Sequence, residues 1–251
     1  MKLISDPGPS TPLTILYRDE HLVAIDKPPG LLVHRTKLAA RERRFAMQLL
    51  RNQIGHRVWP IHRLDKPTSG VLLFATDSDI ARMLSDQFAE RTVQKEYAAI
   101  VRGWTDAEGR IDYSLQEILD KTTDRKARAD KPAQEAVTTF LTEARCEVPV
   151  AVGRYDTARY SWVRIIPETG RKNQIRRHFK HIFHPILGDR KFGDRAHNAV
   201  LRGQLEIERM MLAATSLTFS HPVSGLEIRI QAADGFSEVV RNLFRDYPAL
   251  Q

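Results

Sequence analysis

Asp65 stands between two fixed cations, Arg63 and Lys66, in the run His62-Arg63-Leu64-Asp65-Lys66-Pro67-Thr68-Ser69-Gly70. That run closes in a tight Thr-Ser-Gly turn and leads into the apolar stretch Val71-Leu72-Leu73-Phe74. Opposite charges nearby favour the ionised form of a carboxyl. An ionised Asp at the edge of a buried strand can act as a nucleophile or as a base. The competing reading of the same residues is a surface loop with an ordinary, solvated ion pair that contributes little.

The elements that must position Asp65 are legible as patterns. Residues 14–25 hold two short apolar stretches separated by Arg18-Asp19-Glu20, a hairpin pattern that ends in the turn Lys27-Pro28-Pro29-Gly30. Residues 45–54 read as a helix with Met47, Leu50 and Ile54 on one face. Asp77-Ser78-Asp79 is expected to cap a helix over about 80–89. A strand is expected over 93–102, with Tyr97, Ala99 and Val101 on one side. Residues 109–132 are polar and carry Lys121, Arg125, Lys126, Arg128 and Lys131, as in a long surface hairpin or loop. Strands resume over 136–144 and 160–166. A basic helix follows over about 173–183 and stops at His184-Pro185. The tail reads as strands over 211–214, 217–219 and 226–231 and a helix over 236–244. Hairpins interleaved with few helices define an α+β protein on a largely antiparallel sheet. Residues 1–12, with Pro7, Gly8, Pro9, Ser10 and Pro12, read as a flexible leader, and 13–251 as a single catalytic domain.

Composition narrows the class. The chain has 251 residues, of which 42% are hydrophobic, enough to fill a core. Lys and Arg number 39 against 31 Asp and Glu, a net charge of +8 that suits a polyanionic partner. Its single cysteine, Cys146, excludes an intrachain disulfide and a thiolate metal cage, and with no nearby His it reads as a small buried residue. No window approaches the ~20 apolar residues that cross a bilayer, so a cytoplasmic protein with no membrane contact is expected. His178, His181 and His184 do not complete a zinc set, since only His178 and His181 share a helical face and no carboxylate or thiol joins them.

Three segments, in order, resemble the motifs of the RluA-type pseudouridine synthases. The Asp65 run matches H-R-L-D-[RK]-x-T-S-G, and Lys95-Glu96-Tyr97 matches the K-x-Y strand. Residues 167–178, Pro-Glu-Thr-Gly-Arg-Lys-Asn-Gln-Ile-Arg-Arg-His, are close to P-x-T-G-R-x-H-Q-L-R-x-H, and Gly188-Asp189 follows as in H-P-I-x-G-D. The resemblance implies a pseudouridine synthase fold: a mixed, mainly antiparallel sheet divided by a central basic cleft with the catalytic Asp on its floor. It implies isomerisation of an RNA uridine to pseudouridine without metal or organic cofactor. It assigns Asp65 as nucleophile or base, Tyr97 as a ring that stacks on the uracil or relays a proton, and Arg176 as the partner that aims Asp65. Arg63 would fill the gap left by the extruded base, whose flipping costs a few kcal/mol. His62, Lys66, Lys95, Arg171, Lys172 and Arg177 would line the RNA path. Asn173 departs from the family's usual His, Ile175 from Leu, and Lys66 from Arg, which loses a bidentate fork.

The segments 27–35, 101–104, 119–121 with 126–128, and 149–155 look like the branch of that family that modifies the uridine at nucleotide 65 of tRNA. The partner implied is therefore tRNA or another structured RNA, bound by a monomer with no obligatory protein partner. Ribosomal RNA as the substrate, or RNA binding without chemistry, are the alternatives. A glycosidic hydrolase would need a second carboxylate as acid, and Asp77 and Asp79 are better used as helix caps.

Overall fold

Apolar runs between polar turns assemble into a ten-stranded sheet in the computed structural model, which describes residues 12–35, 42–117 and 132–249. In chain order the elements are β1 (Thr14–Arg18), β2 (Leu22–Lys27), α1 (Ala46–Ile54), β3 (Trp59–Pro60), β4 (Ser69–Ala75) and α2 (Ser78–Ala89). Then come β5 (Gln94–Arg102), β6 (Glu108–Asp112), β7 (Val137–Val148), β8 (Ala158–Pro167), α3 (Gln174–His181) and α4 (Arg195–Gln204). The chain ends with β9 (Leu212–Ser220), β10 (Glu227–Gln231) and α5 (Glu238–Asp246). The strand order is β1-β2-β4-β9-β5-β8-β7-β6, with β3 on β4 and β10 on β9.

Every pairing is antiparallel except β4 with β9, whose parallel ladder covers only Ser69 with Ala213 and Gly70 with Ala214. Beyond that short seam the same edge of β9 turns to β10, from Ser216 to Ser220. The seam joins two halves of the sheet, and the Asp65 run enters it directly. Gly70 is required there. Its φ is +103°, and a Cβ would lie 2.0 Å from the Ala214 carbonyl oxygen.

Each half is covered on both faces, which is why its central strands read as continuous apolar runs rather than alternating ones. In the β2–β4 half, Val23, Ile25, Leu72 and Phe74 pack under Ala46 and Leu50 of α1. The opposite face of that half, with Ala24, Val71 and Leu73, packs on Ile80 and Leu84 of α2. In the other half Ala99, Val101, Val163 and Ile165 meet Ile175 and Phe179 of α3. Ala98, Ile100 and Tyr160 face α4 and α5 through Leu201, Val240 and Leu243.

Most expected elements form within a few residues of their expected bounds. Asp77 caps α2 by accepting from the N–H groups of Asp79 and Ile80, each at 2.9 Å. Three readings change. The strands expected at 211–214 and 217–219 are one strand, β9. A bulge at Thr215, which no β5 residue opposes, interrupts its apolar pattern without ending it. Helix α4 was not expected, because Arg195-Ala196-His197-Asn198 opens it with little apolar signal; the Asp194 side chain caps it. The polar stretch after Gly109 begins as strand β6, and its basic residues from Lys121 to Lys131 lie outside the described residues. The leader, apart from Pro12, also lies outside them. Cys146 is buried, and burial pushes its thiol up to about 12.

Candidate active site

Asp65 and Arg176 meet across 111 positions of sequence. Arg176 Nη1 donates to Asp65 Oδ2 at 2.8 Å. The Asp65 loop is anchored by Leu64 in the core beneath α1, and Thr68 N–H closes the turn on the Asp65 carbonyl at 3.0 Å. Asp65 is partly open, at 28% side-chain exposure, and Arg176 is almost closed off. Asp65 Oδ1 has no hydrogen-bond partner among the described residues.

Arg176 is itself held by a second carboxylate. Its Nε donates to Asp189 Oδ2 at 2.7 Å and its Nη2 to Asp189 Oδ1 at 2.8 Å, a planar bidentate pair. Asp189 Oδ1 also accepts the N–H groups of Lys191 and Phe192. Burial opposes the charge on Asp189, but Arg176 and these N–H donors outweigh it and hold the carboxyl below its usual range. The Gly188-Asp189 turn is bolted to α4: Asn198 accepts from Gly188 N–H and donates to the Asp189 carbonyl. The Arg176 guanidinium lies 5.0 Å from the centre of the Phe192 ring.

Asn173 completes the set. It sits in the left-handed region at φ 57°, which an Asn adopts more readily than most residues, and its Oδ1 accepts from Arg176 Nη1 at 2.8 Å. Its departure from the family's His therefore supplies Arg176 with an acceptor. The turn before it is locked by Gln174, buried and bonded to Thr169, Thr138 and the backbone of Arg171 and Val137. His178, one turn further, bonds Thr138 and the Tyr113 carbonyl and is a buried spacer rather than a surface cation.

Tyr97 enters from β5, packing against the cores of both halves. Burial and the nearby Asp65 charge raise its phenol well above the ordinary value, so it stays a neutral donor. Behind Asp65, the Lys27 ammonium is fully buried and donates to the carbonyls of Pro28, Leu31 and Lys66. Burial pushes Lys27 down to about 7, although Asp65 and Asp26 favour its charge. Arg209 donates to Ser69 Oγ at 2.6 Å and the Gly235 carbonyl at 2.9 Å, tying the seam to the segment before α5.

Not every expected residue converges on Asp65. Lys66 pairs with Glu42 instead, so the cation that faces Asp65 is Arg176 rather than its sequence neighbour. Arg63 is exposed beside the loop and has no hydrogen-bond or ion-pair partner among the described residues. Lys95 is half-buried and sits near His62 and Arg91, and burial lowers its ammonium. Arg171 donates to the Glu135 carbonyl at 3.0 Å, while Lys172 is exposed and Arg177 partly so.

His62 turns inward. Its Nε2 accepts the Leu73 N–H of β4 at 3.1 Å, and its ring stacks on Phe88 of α2 at 5.1 Å. Burial, with Lys95 nearby, pushes it down to about 4. The unfolded chain takes up this proton near pH 6.5, whereas the folded protein resists it until about 4. The stability contributed is present above pH 6.5 and is lost as pH falls through that window. Between pH 7 and 4.5, wild type is expected to lose on the order of 2 kcal/mol more stability than His62→Gln. Urea unfolding at both pH values checks this, and equal losses would refute it.

Asp189 and Lys27 were not singled out in the sequence as site residues, although both lie in recognised motifs. Arg209, a lone cation ahead of a strand, carried no signal.

A sheet seamed beside an Asp–Arg–Asp chain that is closed at Asp189 and open at Asp65, with a tyrosine ring at the junction, belongs with the uridine-isomerising enzymes of RNA. The sequence profile for RNA pseudouridylate synthase matches residues 21–181, and the chain belongs to that family. Among its relatives is the tRNA pseudouridine synthase C of Pasteurella multocida (strain Pm70), 54% identical over 220 residues, or 88% of this chain and 90% of that protein. That of Haemophilus influenzae (strain ATCC 51907 / DSM 11121 / KW20 / Rd) is 48% identical over 235 residues, 94% of this chain and 98% of that protein. In structure the chain resembles human RNA Pseudouridylate Synthase Domain Containing 1, with a TM-score of 0.72 at 23% identity over 98% of this chain and 93% of that one. That last likeness is one of fold, and it agrees with the mixed, mainly antiparallel α+β architecture.

Proposed function

We propose that the chain isomerises a uridine of tRNA, at nucleotide 65, to pseudouridine, with Asp65 as the reacting carboxylate. The observation that carries this reading is the ion pair of Asp65 Oδ2 with Arg176, which leaves Oδ1 for substrate in a partly open site. The overall change breaks the bond from the sugar carbon 1′ to uracil N1 and makes one from carbon 1′ to uracil carbon 5. The proton on carbon 5 leaves and N1 gains one, so the product is an isomer. Asp65 assists either by attacking the sugar or by abstracting a proton.

Tyr97 supports the reading as a platform. A phenol held neutral by burial can stack on the extruded uracil and donate a hydrogen bond, but it is a poor base. Arg176 orients Asp65 and is kept in place by Asp189 and Asn173. Arg63 fills the gap left by the flipped base, and Arg171, Lys172 and Arg177 at α3 follow the phosphates as part of a basic cleft. No helix among the described residues is long and apolar enough to cross a membrane.

The test is release of tritium from tRNA labelled at uridine carbon 5. Wild type is expected to release the label stoichiometrically from tRNA, and none from the site when nucleotide 65 is cytidine. Release unaffected by that change, or equal release from ribosomal RNA, would overturn the assignment.

A further inference from the structure

Helix α3 ends in a turn that is unusual for the residue it contains. His184 N–H bonds the Phe179 carbonyl at 2.8 Å and Phe183 N–H bonds the Lys180 carbonyl at 3.1 Å, the paired closure of a Schellman cap. The position that must be left-handed in this closure is normally glycine, and here it is Phe183, at φ 65°. A bulky residue there is an outlier, and Arg102 Nη2 also donates to the Phe183 carbonyl at 3.0 Å. The strain brings no packing in return, for Phe183 is 78% exposed, the highest among the exposed large hydrophobic residues described. Backbone strain that the surroundings over-determine gathers at sites of function.

The same end of α3 carries an exposed aromatic stack and cations. His181, the last residue of α3, is exposed and stacks on Tyr113 with ring centres 3.6 Å apart, and Tyr113 is itself 44% exposed. The Tyr113 backbone is pinned to α3 through its carbonyl, which bonds His178. Lys180 is exposed and Arg177 partly exposed on the same helix. Exposed rings among cations are the pairing by which proteins hold single-stranded nucleic acid, with bases on rings and phosphates on cations.

We propose that Phe183 forms a stacking subsite for a nucleobase of the RNA substrate, with Lys180 and Arg177 on the adjoining phosphates. This rests on the reading of the chain as an RNA-modifying enzyme. Phe183 lies seven residues beyond Arg176, along α3 and its closing turn, about 10 Å at roughly 1.5 Å per residue. At 3.4 Å per nucleotide along one stacked strand, the subsite lies about three nucleotides from the reacting uridine. The RNA is therefore gripped at two points on one rigid helix, the reacting uridine at its start and a neighbouring base at its end.

Phe183→Gly separates the two consequences, because glycine fits the left-handed turn. The variant is expected to melt no lower than wild type, yet to bind tRNA roughly tenfold more weakly. Stacking carries no phosphate contact, so the slope of log affinity against log salt should stay the same, whereas Lys180→Gln should lower that slope by about 1. Phe183→Trp should bind tRNA as tightly as wild type. A variant that melts as high as wild type and binds tRNA as tightly would overturn the subsite and leave the ring for a protein partner. If wild type itself releases no tritium from tRNA, the functional reading falls and the subsite falls with it.

Discussion

Asp65→Asn is expected to lower the rate of tritium release from tRNA by at least about 10³-fold while the protein stays folded and binds tRNA within a few-fold of wild type. The amide has nearly the shape of the carboxylate, and its oxygen can still accept from Arg176 Nη1. Arg176 is not left as an uncompensated buried charge, because Asp189 continues to pair with it on two bonds. What disappears is the chemistry, since a neutral amide neither attacks carbon 1′ nor accepts a proton at useful rates. Single-turnover tritium release and filter binding of tRNA, run on the same preparations, separate the two. Release within tenfold of wild type would remove Asp65 from the reacting centre. Equal loss of release and of binding would make it a structural residue.

The sequence carried the fold further than it carried the contacts of the site. The strands beside the seam were readable because Val71-Leu72-Leu73-Phe74 and Ala98-Ala99-Ile100-Val101 are apolar without alternation, as strands covered on both faces must be. Helix α2 was readable because an Asx cap precedes a periodic apolar face. Helix α4 was not, because its first turn is polar and its apolar contacts come only late, at Val200, Leu201 and Leu205, while Asn198 is spent on holding Gly188-Asp189. At the site, proximity in sequence misled. Asp65 and Lys66 are neighbours, yet Lys66 lies inside the turn that Thr68 N–H closes on the Asp65 carbonyl, and it reaches Glu42 instead. His62 likewise turns into the α2–β4 packing although it belongs to the same signature. The pairing that matters spans 111 residues, and no local pattern encodes it; only the likeness of motifs brought Arg176 forward. Asp189 lay in view as half of a Gly-Asp pair. Its role became legible only when the fold placed both of its oxygens against one guanidinium.

Asp189 should for that reason matter nearly as much as Asp65, by a different route. All the acceptor capacity of its carboxylate is used: Oδ2 takes Arg176 Nε, and Oδ1 takes Arg176 Nη2 with two backbone N–H groups. In Asp189→Asn one of those positions becomes an N–H₂ facing another donor, whichever way the amide turns. Arg176 keeps its charge and remains almost wholly buried, with Asp65 alone to balance it. Breaking one partner from a buried pair of this kind costs about 3–5 kcal/mol, which for a chain of this size lowers Tm by about 10 °C. Below the new Tm the variant should still fold. Arg176 then swings toward Asp65 and Asn173, and a misplacement of the reacting carboxylate by about 1 Å costs on the order of 10²-fold in rate. The expected result is a kcat for pseudouridine formation about 100-fold lower, measured well below the variant's Tm, with tRNA affinity little changed because Asp189 is closed to solvent. A variant that melts lower yet turns over at the wild-type rate would confine Asp189 to the fold. A kcat loss at unchanged affinity would place it, through Arg176, in control of where Asp65 points.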